Sequence, residues 1–352
     1  MFKILIFISF IFISSRFYGL TFADINELEV QTYCDILDVN ATKIKSFPGS
    51  FCIFRDDGSV IYASPTHLTL ADKNDTIIWE TAGDFHHQIK LSLDQKKILT
   101  LDSKLVSIKN KKYKSDLASI YNLDGSLDRS IDAQNLIEQA KLKLTIQNTT
   151  LPDNPKYKDA KGEVAHLNSF YEIPQHSNLQ KSHLIPPGGY VINGLYDGVF
   201  ILDRKLEKVL YHFKFPFAKD NFIHDVQITK KGTFLIFVNL FNLNPEIPGE
   251  FHHSAAVEYD PFFNKILWKF TATPKEMFFS PATGGIQELD ENTILISDYI
   301  KGFFVINKKD NSIIFPYYNL KNLENSSGYT NYQDIKLYNL DKFLKQRKLK
   351  KN

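Results

Sequence analysis

The stretch Phe222-Ile-His-Asp-Val-Gln-Ile-Thr-Lys-Lys-Gly-Thr-Phe-Leu-Ile-Phe-Val238 decides how the chain is read. A short strand opens on His224, Lys231-Gly232 makes a turn, and a second, apolar strand follows. A similar phrase runs from Phe85-His86-His87 to Leu101. It returns, with an insertion in the turn, from Ala165-His166-Leu-Asn168-Ser to Tyr190-Val-Ile-Asn193. A fourth copy, residues 279–296, keeps the frame without a histidine. Histidines recurring at equivalent places of a repeat face one another if the repeats stand around an axis.

Working outward, each phrase begins a unit of four strand signals. The first unit covers 51–54, 60–63, 67–71 and 76–80; the second 88–91, 98–101, 117–122 and 127–131. The third covers 167–172, 190–193, 199–203 and 209–213, and the fourth opens at Ile223 and closes at 266–270. The fifth spans 285–316. Third strands end in an acidic or Asn turn, and fourth strands are aromatic-tinged, as at Trp79 and Trp268, which are expected to pack between units. Four antiparallel strands repeating every forty to fifty residues or so predict an all-β fold, a β-propeller of four-stranded blades. Five blades can be counted; six are expected, the sixth hidden in the irregular second unit and its insertion. A strand at 333–338 is expected to close the ring by completing the sheet begun at Phe51. Over 133–144 the apolar spacing lengthens to a helical period, and 133–161 is expected as a helical and loop insertion.

The domain plan is a leader at 1–23, an extension at 24–48 with some helical character over 25–37, one propeller at 49–344 and a basic tail at 345–352. Lys3, the apolar run from Ile4 to Ile13 and the small residues near Ala23 fit a secretory signal peptide; an uncleaved membrane anchor is the alternative. Either places the remainder outside the cytoplasm. The two cysteines, Cys34 and Cys52, are either a disulfide or two thiols. A net charge of +2, part of it in a tail expected to be frayed, excludes a nucleic-acid footprint.

On these residues the chain resembles the bacterial arylsulfotransferase family. The phrases that carry the likeness are Phe85-His-His-Gln-Ile-Lys-Leu, Ala165-His-Leu-Asn-Ser, Ile223-His-Asp-Val-Gln, Ala256-Val-Glu-Tyr-Asp-Pro and Phe278-Phe-Ser-Pro281, in that order over about 49–344. The resemblance implies a six-bladed periplasmic propeller. It also implies cofactor-free transfer of a sulfuryl group from a phenolic sulfate ester to a phenol through a sulfated histidine. It casts His224 as nucleophile, His87 as a second active-site histidine with His86 beside it, and His166 and Asn168 as the pair of the third phrase. Leu195 stands where the family places an arginine.

Sulfuryl transfer needs a nucleophile, a proton for the leaving phenolate, and donors around the sulfuryl oxygens. A neutral imidazole, a second histidine that titrates near neutrality, and the Asn168 amide meet those needs. Tyr196 is a candidate for the mouth of the site. Without the arginine, a protonated histidine, Lys219 or Lys301 must supply positive charge. Asp225 is expected to face away and hold a turn, and His252-His253 to lie in a loop. Two other classes fit the same residues: a non-catalytic propeller that binds a small anion, saccharide or partner, and a metal site of three imidazoles.

Overall fold

The computed structural model describes residues 9–17, 33–37, 43–144, 146–147, 157, 159–176, 183–218, 222–241, 253–271, 280, 284–298, 302–315, 329–332, 336–338 and 346–347. Within them, five sheets follow one another, each built on a four-stranded antiparallel meander. Blade 1 holds Phe51–Phe54, Val60–Ala63, His67–Ala71 and Ile77–Ala82. Blade 2 holds His86–Leu91, Lys97–Ile108, Lys111–Asn122 and Leu127–Asp132. Blade 3 holds Leu167–Glu172, Tyr190–Gly194, Gly198–Leu202 and Val209–Phe213. Blade 4 holds Ile223–Ile228, Phe234–Phe241, His253–Asp260 and Lys265–Thr271; blade 5 holds Gly285–Asp290, Thr293–Asp298, Gly302–Asn307 and Ile313–Phe315.

The first strand of each blade packs against the first strand of the next, from blade 1 through to blade 5. Fourth strands lie outside, and on Ile77–Ala82 and Lys265–Thr271 exposed and half-buried residues alternate. First strands inward and fourth strands outward make a β-propeller. Apolar side chains fill the wedges between blades; Phe170, Phe200, Phe215, Phe234, Phe237 and Phe304 are the largest fully buried ones. Phe213 of blade 3 meets Phe234 of blade 4 edge-on at 4.9 Å, a contact of the kind whose truncation to alanine costs about 3–5 kcal/mol. Trp79 packs between blades as expected: its Nε1 donates to Leu123 O at 2.7 Å. Beneath it Gly125 turns at φ +83°, and a Cβ there would lie 2.8 Å from the indole. Both facts require glycine.

Closure differs from the expectation. The sheet begun at Phe51 is complete in itself, and the closing strands pair elsewhere. A further sheet runs in the order Tyr329–Tyr332, Ser9–Phe17, Tyr33–Leu37, Lys43–Pro48, with Lys336–Tyr338 also on Ser9–Phe17. Its last strand leads directly into the inner strand of blade 1, the connection that joins every other pair of blades. The two ends of the chain therefore build the sixth sheet; it does not come from blade 2 and its insertion. Ser9–Phe17, inside the expected leader, is one of its strands, and Tyr33–Leu37 is strand where helical character was expected. No helix among the described residues is long and apolar enough to cross a membrane.

The tail is not frayed at Arg347. Its guanidinium donates to Gly58 O and Asp72 O, each at 2.7 Å, pairs with Asp75, and lies 4.8 Å over the Phe47 ring. Cys52 is disulfide-bonded, and Cys34 is the only other cysteine. The insertion begins with a helix, Ala133–Gln139, capped by Asp132, whose carboxylate accepts from Asn135 N at 2.7 Å. Ala133, Leu136 and Ile137 are its buried face. Gln139 bridges to blade 3 through Glu207 O and Val209 N, each at 2.8 Å.

Candidate functional site

The entry strands of blades 2, 3 and 4 share an irregularity. Register slips between His86 and Ile89, between Leu167 and Ser169, and between Ile223 and Asp225. A bulge leaves an extra residue out of the ladder and re-aims its side chain. In blade 4 that residue is His224; in blade 3 it is Asn168, and His166 precedes the strand. In blade 2 the extra residues are His87 and Gln88. His87 is held at φ +63° and Ala165 at φ +50°, both in the left-handed region. The histidines are thus not at equivalent strand positions, as the repeat suggested. They still converge.

The His87 and His166 Nε2 atoms are 2.7 Å apart, and their ring centroids 4.6 Å. His87 lies 5.7 Å from His224 and 4.8 Å from His86, centroid to centroid. His224 is 6 % exposed. Four imidazoles from three blades therefore form one cluster. Asn168 is near it, but its amide is spent on backbone, with Nδ2 donating to Ile223 O at 3.2 Å. The Tyr196 ring lies 6.0 Å from Phe222, in the turn that also holds Leu195. Leu195 N donates to His166 O at 2.7 Å, so Leu195 borders the cluster.

Behind the imidazoles sits buried charge that the motif phrases did not reveal. Asp116, fully buried on the third strand of blade 2, accepts from His86 Nε2 at 3.0 Å, Leu167 N at 2.9 Å and Ser103 Oγ at 2.8 Å. Lys114 lies 3.4 Å from Asp116 and 2.6 Å from Glu163. Glu163 in turn is 3.2 Å from His166 Nδ1, an ion-pair contact without hydrogen-bond alignment. Glu163 arrives just past the insertion, on the short strand Glu163–Val164, which runs parallel to Lys114 and Ser115. The insertion brings Tyr157, whose hydroxyl donates to Asp84. The one signal in the sequence was Glu163-x-x-His166.

This wiring sets the charges. Burial alone would lower His166, but the Glu163 carboxylate, with Asp116 behind it, raises it above its ordinary value. His87 is driven well below that value by burial and by the three other imidazoles. Burial, with His166 adding to it, brings His224 down to about 3. Burial alone would raise Asp116; His86, Lys114 and His166 hold it well below the carboxylate range. Of the pair, His166 holds its second proton more tightly; in its protonated form Nε2–H donates to His87, which then accepts on Nε2 and carries its own proton on Nδ1. His224 is a neutral base beside them.

The three imidazoles do not offer ligand atoms close enough together for one metal. The described group that does, within 4.8 Å, is Asp116, Glu163 and His166. The Lys114 ammonium already supplies the cation there. Asp225 does not hold a turn: it accepts from Tyr171 Oη at 3.0 Å and Ile286 N at 3.1 Å, tying blades 3, 4 and 5. His253 opens the third strand of blade 4 and is not a loop residue; His252, Lys219 and Lys301 lie outside the described residues.

No family model and no curated protein matches the chain. Among solved structures it is similar to a protein of unknown function from Bacteroides caccae, with a TM-score of 0.57 and 9% identity over 95% of this chain and 99% of that one. It also matches the β-propeller domain of Cps50 (Swd1) from Myceliophteria thermophila, with a TM-score of 0.44, 9% identity, and 82% and 81% coverage. The WD40 β-propeller domain of Doa1 gives a TM-score of 0.42 and 9% identity, with 78% and 71% coverage. At such identity the likeness concerns the fold alone.

Proposed function

We propose that the protein transfers a sulfuryl group from a phenolic sulfate ester to a phenol, with His224 as the nucleophile and no cofactor. The observation that carries this reading is the chain Glu163–His166–His87 beside a neutral His224. The His224 lone pair attacks sulfur, an N–S bond forms and the S–O bond to the aryl group breaks. The departing phenolate takes a proton from His87 Nδ1, and His87 is reprotonated on Nε2 by His166. The acceptor phenol then attacks sulfur, its proton returns along the same path, and the N–S electron pair goes back to His224.

The charge balance supports an anionic substrate only while His166 is protonated. Lys114 and His166 offset Asp116 and Glu163, and loss of the His166 proton leaves the cluster net negative. The bonded Cys52 supports a location in an oxidising compartment outside the cytoplasm. Leu195 favours a second reading, a propeller that binds an anion without turnover, because it removes a fixed positive charge from the sulfuryl oxygens.

Incubation of the full chain with a chromogenic phenyl sulfate and phenol, followed by intact-mass measurement, tests both. A sulfuryl-mass adduct that is lost in His224→Ala supports transfer. Binding of the ester without adduct or turnover supports the second reading. Turnover unchanged in His224→Ala removes His224 from the mechanism.

A further inference from the structure

Asn168 and Asn193 point their amide nitrogens at one atom. Asn168 Nδ2 donates to the carbonyl oxygen of Ile223 at 3.2 Å, and Asn193 Nδ2 donates to the same oxygen at 2.9 Å. Only an N–H can donate to a carbonyl, so both amide orientations are forced. Asn168 is 4 % exposed; Asn193 and Ile223 are fully buried. The Oδ1 atoms of both asparagines are buried without a hydrogen-bond partner among the described residues. A buried carbonyl oxygen that leaves polar atoms unsatisfied around it is costly to maintain, so the arrangement serves the carbonyl. Ile223 is the residue immediately before His224, and the bulge lies between Ile223 and Asp225. Ladder bonds do not fix the backbone within a bulge, so another restraint must set the direction of the bulged side chain.

We propose that Asn168 and Asn193 are the positioning residues of His224: a two-pronged clamp from blade 3 that holds the Ile223 carbonyl and thereby aims the imidazole of blade 4 at the cluster. The inference rests on the reading of His224 as the reacting group, and it gives Asn168 a role through backbone in place of a donor to the sulfuryl oxygens. Asn193, which no motif singled out, is its partner. The next asparagine round the ring supplies an internal control. Asn239 Nδ2 donates to Ser280 O at 2.7 Å, the same kind of buried bond reaching from blade 4 toward the histidine-free entry of blade 5.

The test uses the full chain labelled with 15N-histidine and the variants Asn168→Leu, Asn193→Leu, the double variant and Asn239→Leu. Leucine keeps the approximate shape and introduces no charge. In the wild type and in Asn239→Leu, the His224 ring nitrogens are expected to keep one neutral pattern on acidification well below pH 6. In the double variant the freed ring reaches water and titrates near the ordinary histidine value of about 6.5. Each single variant moves the same way by less, which preserves the test if the double variant does not fold. With a phenyl sulfate, kcat falls by about 10²-fold in the double variant while KM stays within about twofold, as expected of a misaimed nucleophile. Unmoved His224 signals in both single variants overturn the clamp, as does Asn239→Leu moving them equally. Absence of turnover in the wild type bears on the sulfuryl reading and leaves the ring signals to decide the clamp.

Discussion

In blade 2 the Lys114 ammonium lies 2.6 Å from Glu163 and 3.4 Å from Asp116; further round the ring Lys308 of blade 5 is paired with Glu258 of blade 4. In both sets the carboxylates are buried and the lysines half-buried, and both join separate parts of the chain. They differ in what takes up the remaining carboxylate oxygens. Glu258 Oε1 accepts from Thr233 Oγ1 at 2.6 Å, and Thr233 continues to Thr229 at 2.7 Å. There the chain ends in hydroxyl groups, which neither gain nor lose a proton near neutrality. Asp116 and Glu163 end instead on imidazoles, those of His86 and His166. The same structural device therefore fastens blades in one place and sets the charge of a catalytic candidate in the other.

The largest expected effect tests that contrast. Asp116→Asn and Glu258→Gln each leave an ammonium short of a partner. Each is expected to lose about 3–5 kcal/mol in urea unfolding, the usual cost of breaking a buried pair. Only Asp116→Asn should also abolish turnover of an aryl sulfate and shift the His166 ring signals. If Glu258→Gln shifts them as much, the two networks are equivalent and the contrast is lost.

Leu195→Arg should have a smaller effect in the opposite direction. Its backbone N–H already holds His166 O, so a guanidinium on that residue begins beside the cluster. A charge-assisted contact to a sulfuryl oxygen is expected to contribute about 1.5 kcal/mol, and so to lower KM for the ester about tenfold. An unchanged KM would mean that the side chain at 195 does not reach the substrate.

The same contrast explains what could be read from the chain. Hairpins within the blades were legible because each is marked locally: Asp57-Gly58, Asp124-Gly125 and Lys231-Gly232 all turn with a glycine at positive φ. The convergence of His87, His166 and His224 was legible because a repeat that closes on an axis brings its entrances together. The charge network was not. Lys97–Ile108 and Lys111–Asn122 are twelve residues each, and the halves that flank their turn are rich in lysine and serine, a composition that cannot be told from that of a solvated loop. Asp116 is held by Leu167 N, 51 residues later, and no local period records such a contact. Closure failed for a related reason: the strand at 329–332 pairs with Ser9–Phe17, whose apolar run carries the same signal as a leader. Asn168 was found for a motif reason and turned out to hold a carbonyl, because a buried amide looks the same in sequence whether it faces a ligand or a backbone.

The subtlest separation between the wired and the unwired network lies in pH. His166 is raised above 6.5 in the folded protein, so its protonated form contributes stability that is fully present below 6.5 and lost as pH rises through the folded value. In the proposed mechanism turnover uses that same proton and should fall over the same interval. Glu163→Gln removes the carboxylate that raises it, so the falling limb of the pH–rate profile should move to lower pH. His224 works in the other direction. Its folded value of about 3 lies below 6.5, so the unfolded chain takes up a proton that the folded one refuses, and stability is lost as pH drops from 6.5 toward 3. His87 is lowered too and contributes to the same slope, so His224→Asn should make that acid slope shallower in urea midpoints measured against pH, leaving the alkaline limb in place. The Glu258–Lys308 network has no imidazole in it, so Glu258→Gln should lower the whole curve and move neither limb. A displaced limb in that variant would show that charge in blades 4 and 5 reaches the histidines after all.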